Sequence, residues 1–155
     1  MKEAIGGTWL FQIVIVFILL FAGFLTFAIN YTKAFKVKNE MVNIIERNQG
    51  FTSSTTNDFT TENEITNYLN TVGYRTTGKC DADEIGYPLN VIGDKHYYCV
   101  KTINTRSSEI EDQSYYRVKV FFNIDIPVVG EWFNFSVSGT TKIINSPMEK
   151  VGVIL

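Results

Sequence analysis

From Trp9 to Ile29 the chain carries no charged side chain. That run constrains everything else about how the protein can fold. About 21 residues rising about 1.5 Å each make a helix about 30 Å long, the thickness of a bilayer's hydrocarbon core. A cleavable export signal has a shorter apolar stretch, about 7 to 15 residues, ending at a small-x-small site. Here the one such site, Thr26-Phe27-Ala28, lies at the far end. The Leu, Ile, Phe and Val side chains each favour insertion, and together they outweigh Gln12 near one end. A buried core helix would need apolar sequence to wrap it on every side, and the rest of the chain has too little. The expectation is a helix spanning a membrane once, over residues 8–30.

Of the 155 residues, about 125 lie outside this run, enough for one small domain with one core. The net charge is −2 with no basic block, which removes the electrostatic footprint of a nucleic-acid binder. Two cysteines, Cys80 and Cys99, both follow the apolar run. A pair in a small domain points to an oxidising compartment. If joined they close a loop of about 20 residues, worth about 3 kcal/mol by chain entropy. Two free buried thiols are the alternative. A zinc site would be one ligand short with the single histidine, His96, unless Asp81 or Asp83 joined. The lysines disagree with the cysteines. Lys33, Lys36 and Lys38 follow the apolar run while Lys2 precedes it, and a positive-inside count would hold the domain in the cytoplasm. That rule weakens for long translocated domains. The cysteines therefore set the expectation: N-terminus cytoplasmic, C-terminal domain extracytoplasmic, at the cell surface.

Beyond Asn30 the helical pattern continues. Ala34, Val37, Met41, Ile44 and Ile45 recur at steps of three and four, with Lys36, Lys38, Glu40 and Glu46 mostly elsewhere. Asn48-Gln49-Gly50 supplies a stop. One continuous helix of about 40 residues is expected, apolar all round in its first half and on one face in its second. The stretch from Phe51 reads as an exposed loop. Thr61 and Glu64 have capping-box spacing ahead of a short helix with Ile65, Tyr68, Leu69 and Val72, closed by Gly73. The period then changes to two. Tyr116, Val118, Val120, Phe122, Ile124 and Ile126 alternate with Arg117, Lys119, Asn123 and Asp125. After a turn at Pro127–Gly130, Phe133, Phe135, Val137 and Ile143 alternate with Asn134, Ser136, Ser138 and Lys142, completing a hairpin. "HYYCVKTIN" supplies a further strand and "GYRTTGKC" a weaker one. The fold class is α+β: a long N-terminal helix, half transmembrane and half amphipathic, packed on a small three- to four-stranded antiparallel sheet.

This layout, led by the short polar stretch "MKEAIGG", resembles the type IV pilin and pseudopilin superfamily. The hairpin "VKVFFNIDIPVVGEWFNFSVSGTTKI" is similar to the C-terminal part of the TadE-like and TadF-like minor pseudopilins of tight-adherence pili. The resemblance implies a leader over 1–7 cut by a prepilin peptidase, a membrane helix over 8–30 and an extracytoplasmic domain over 31–155. It also implies sister pilin-like subunits and an assembly platform as partners beside the lipid bilayer. Gly6, Gly7 and Thr8 are the processing candidates. A cut after Gly7 makes Gln12 the fifth residue, where pilins usually place a Glu that pairs with a neighbouring subunit's terminal amine. Glutamine can accept that hydrogen bond but brings no charge; a cut after Gly6 puts Phe11 there. Gln12 can equally be read as an interfacial residue near a helix end.

Other chemistry is thin. "DADEIG" begins like a calcium loop at Asp81, Asp83 and Gly86, but Ile85 and Ile92 stand where oxygen ligands belong. His96 has neither a serine in a nucleophile-elbow setting nor an activated thiol. Asn134-Phe135-Ser136 is a glycosylation sequon by pattern. Of Tyr97, Tyr98, Tyr115 and Tyr116, alternation sends two to the core. No enzyme, cofactor or metal is expected. A minor structural subunit of a pilus or secretion assembly is the leading expectation, and an anchored, adhesin-like module binding through the loops between Cys80 and Cys99 is the alternative.

Overall fold

Helix α1 runs from Lys2 to Arg47, 46 residues, and no proline interrupts it. The structure, a computed structural model, describes residues 2–53, 60–88, 95–105, 113–126 and 130–145. Most of the expected turn at Pro127–Gly130 lies outside them, as do 54–59 of the expected loop, Ile92 and Asp94. The stop falls where the sequence places it. Gly50 N–H donates to Ile45 O at 3.0 Å and Gln49 N–H to Glu46 O at 3.2 Å, the paired bonds that close a helix end. The left-handed residue there is Gln49, with φ 54°.

Helix α2 spans Thr61–Thr71, starting one residue earlier than the capping box suggests. Thr60 is the cap, its hydroxyl accepting from Asn63 N–H at 3.2 Å. Thr61 is inside the helix and spends its hydroxyl on Gly50 O at 3.1 Å. Either threonine suits the cap; the end of α1 claims the second. Gly73, at φ 64°, terminates α2 as expected.

The strands are β1 (Ile85–Tyr87), β2 (Tyr98–Thr105), β3 (Gln113–Ile126), β4 (Gly130–Thr140) and β5 (Ile144–Asn145). They form one antiparallel sheet ordered β1-β2-β3-β4, with β5 pairing β3. The α+β class and the helix-on-sheet arrangement are as expected. Val37, Met41, Ile44 and Ile45 of α1 are buried in one core with Val118, Val120 and Phe122 of β3, and Ile65 and Leu69 of α2 belong to the same core. Tyr98 is buried there too, while Tyr97 and Tyr116 pack partly against it.

Three local expectations change. "GYRTTGKC" contributes only one bridge, Gly78 to His96, and the fourth strand is Ile85–Tyr87. The segment instead covers the sheet's far face: Tyr74 hydroxyl donates to Phe121 O, Asn134 Nδ2 donates to Thr77 O at 3.0 Å, and a Cβ on Gly78 would run into the Phe121 ring. That face is thus not purely polar. Ile144 rather than Ile143 is buried. Thr141 N–H donates to Tyr116 O at 2.9 Å, but Tyr116 N–H is taken by the Thr141 hydroxyl at 3.0 Å, a side chain replacing a carbonyl in the ladder. Pairing then resumes at Ser114↔Ile144 after Arg117↔Thr140. That register gains one residue, and one extra residue reverses the side-chain phase.

Candidate functional site

The first half of α1 meets nothing in the folded domain. Leu10, Phe17, Leu20 and Phe24 are 66, 67, 68 and 66 % exposed, and Gln12 is exposed among them. Gly6, Gly7 and Thr8 lie in the opening turns of the same unbroken helix. Near the join the chain conceals its own polar groups: Thr26 and Thr32 hydroxyls donate to Ala22 O and Ala28 O at 3.0 and 2.8 Å. Such self-satisfaction is what an apolar solvent demands. Among the described residues α1 is the one helix long and apolar enough to cross a membrane.

The join itself is aromatic. Phe27 lies 6.0 Å from Phe122 and 6.2 Å from Phe135 between ring centroids. Tyr31 meets Phe122 edge-on at 6.0 Å, and Phe122 stacks on Phe135 at 5.5 Å. Asn30 Nδ2 donates to Asn123 O at 3.1 Å, tying helix to strand at the same level. Rings of this kind sit well where hydrocarbon gives way to water. The sequence carried a signal for this collar in the four-residue steps Phe27, Tyr31, Phe35 and in Phe122 and Phe135 opposite each other across a hairpin. The alternation reading recorded Phe122 and Phe135 only as core.

Cys99 of β2, paired with Lys119 of β3, forms a disulfide with Cys80, their Cα atoms 5.7 Å apart. The pairing is as expected and leaves neither sulfur as a thiolate, so the nearby Glu84 carboxylate has no sulfur ligands to join. The acidic run beside it is paired with lysines. Lys119 Nζ donates to Asp81 at 2.6 Å and to Glu84 at 2.7 Å, and Lys101 pairs with Asp83. The hydrogen bond from Lys101 holds the Asp83 carboxyl below the usual range. Burial opposes the charge on Lys119, but its two carboxylates prevail and its pKa is raised. His96 is half-buried against Gly86 and has Pro88 O 3.4 Å from its Nδ1. It touches no nucleophile among these contacts.

Two clefts flank Tyr74. One of about 250 Å³ lies between Thr66, Leu69 and Asn70 of α2 and Pro88, Tyr97 and Tyr98. The other, about 90 Å³, opens where the bare part of α1 meets the domain, beside Asn30 and Lys33. Burial pushes the Tyr74 hydroxyl up to about 12, and it pushes Tyr98 and Tyr87 upward as well. The sequence-derived candidates thus fall into two separate places, Gly6 to Gln12 on the bare helix and the disulfide on the sheet. Asn30, Lys33, Tyr74, Arg75 and Asn123, which meet at the join, were not singled out. Comparison with protein-family models, curated proteins and solved structures gives no match.

Proposed function

We propose that this chain is a membrane-anchored, pilin-like structural subunit, a minor component of a cell-surface pilus or secretion assembly. The observation that carries the reading is the continuity of α1: one helix is bare and apolar over its first half and is the spine of the folded domain over its second. A subunit built this way can exchange lipid for sister helices around its bare half, because both are apolar surroundings, while its domain stays folded. Gln12 then offers a hydrogen-bond acceptor to a neighbour's amine within the bundle. The disulfide supports an extracytoplasmic domain and a cytoplasmic N-terminus. Two of the three lysines that weigh the other way have local contacts, Lys38 lying over the Phe35 ring at 4.1 Å and Lys33 near Tyr74 at 5.9 Å.

Maturation tests the reading. Intact-mass analysis of the protein from its native membrane is expected to give a chain starting at Thr8, and Gly7→Leu to leave the leader attached. A native chain that keeps Met1 would remove pilin-type processing and leave an anchored module. That second reading, an adhesin-like binding domain, is favoured by the cleft of about 250 Å³ beside Tyr97 and Tyr98, close to the lower limit of small-ligand sites at about 300 Å³.

A further inference from the structure

The smaller cleft lies where α1 leaves its bare half. Its walls are Asn30 and Lys33 of α1, the Gly73–Thr76 turn after α2, and Phe122 and Asn123 of β3. Its depth follows from the helix. Lys33 is four residues past Ile29, about 6 Å along the axis, which is the headgroup layer when Trp9–Ile29 fills the hydrocarbon. Two cations face this space from distant parts of the chain, Lys33 and Arg75, and neither has a carboxylate partner among the described residues. Asn123 adds a buried side-chain oxygen with no hydrogen-bond partner among them. Fully covered, that oxygen leaves Asn123 as a wall of the cleft rather than a donor to it. Thr76 lines it too, its hydroxyl bonded to Tyr74. The volume, about 90 Å³, accommodates about three waters, the scale of a single tetrahedral anion rather than of a drug-sized ligand.

Two cations lining one small cleft at this depth are the chemistry that recognises a phosphate. We propose that this cleft holds the phosphate of an anionic membrane lipid, an inference that rests on the membrane reading of α1. Lys33 gives the phosphate a point charge and Arg75 a planar fork of donors. A net-negative phosphodiester lipid is preferred over phosphatidylcholine, whose own cation would meet Lys33 and Arg75. Arg75 is the diagnostic residue, since it is remote from the membrane segment in sequence and reaches the headgroup layer only through the fold. The bound lipid would fix the height of the domain over the bilayer before α1 is withdrawn.

The test uses the full chain in phosphatidylcholine bilayers with and without phosphatidylglycerol, with retained lipid counted by native mass spectrometry. Lys33→Gln and Arg75→Gln change exposed side chains, so folding is not at stake. Each is expected to lower phosphatidylglycerol retention about fivefold, the worth of one basic residue near an anionic surface, while Lys36→Gln retains most of it. Loss with Lys36→Gln equal to that with Lys33→Gln, and none with Arg75→Gln, would mean general surface attraction and overturn the cleft. Displacement of the lipid by millimolar inorganic phosphate would make it a free-anion site and overturn the lipid assignment. If the protein holds in the bilayer without preferring phosphatidylglycerol, the cleft proposal fails alone. If it does not hold in the bilayer, the membrane reading fails with it.

Discussion

The two halves of α1 share one backbone and differ in what surrounds them. Between Gly7 and Leu25 apolar side chains point in every direction and remain largely exposed. Between Asn30 and Arg47 only a stripe of them is apolar, and Ala34, Val37, Met41, Ile44 and Ile45 are all buried. The difference teaches that the helix serves two environments, with the sheet covering one face of the second half and reaching the first only at Phe27. The aromatic collar of Phe27, Tyr31, Phe122 and Phe135 marks the change from one to the other.

The contrast can be broken most forcefully with the same substitution in each half. Val37→Asp puts a carboxylate into the covered stripe, and urea melts of the full chain in detergent are expected to show a loss of about 4 kcal/mol or more. Leu19→Asp is expected to leave that melt unchanged and instead to disfavour membrane insertion by about 3 kcal/mol, read by alkaline extraction of membranes. Equal effects of the two on the melt would mean that the halves are not distinct.

Next in size is the disulfide, which belongs wholly to the covered half's domain. Cys80→Ser is expected to cost about 2 to 5 kcal/mol in the same melts and to leave membrane extraction as it was. A change in extraction would couple the two halves in a way the fold does not explain.

A smaller effect sharpens the boundary. Tyr74 is neutral in the folded protein up to about pH 12, whereas an unfolded tyrosine loses its proton near pH 10. Between those values the folded state binds more protons, so stability present below pH 10 falls as pH rises toward 12. Tyr74→Phe should make that fall shallower while lowering stability at neutral pH by about 1 kcal/mol, because Phe121 O loses its donor. An unchanged alkaline slope would assign the titration to the other raised tyrosines, Tyr98, Tyr87 and Tyr68. Smallest of all, Lys36→Ala on the exposed face of α1 should move the melt by no more than about 0.5 kcal/mol. Glu46 does not belong with it, since its carboxylate accepts Lys142 N–H at 2.8 Å.

Much of this protein is legible residue by residue because periodicity is a local property. The uninterrupted apolar run gives a helix long and apolar enough to cross a bilayer, steps of three and four give the stripe of Ala34 to Ile45, and alternation gives β3 and most of β4. The stops at Gln49-Gly50 and Gly73 are local in the same way, since the chain must turn left-handed there to satisfy its last carbonyls. What tertiary structure alone decided are choices between locally equivalent options. Thr60 and Thr61 are equal as caps until Gly50 O claims the second. Ile143 and Ile144 are equal as core residues until the Thr141 hydroxyl enters the ladder and shifts the phase. Residues 74–80 have the composition of a strand, but Tyr74 and Gly78 bind the back of β3 more fully than an edge position would allow. Lys33 and Arg75 become neighbours around one cleft only because α1, the turn after α2 and β3 converge there. No pattern along the chain encodes that meeting, because it depends on contacts between residues 40 and more positions apart.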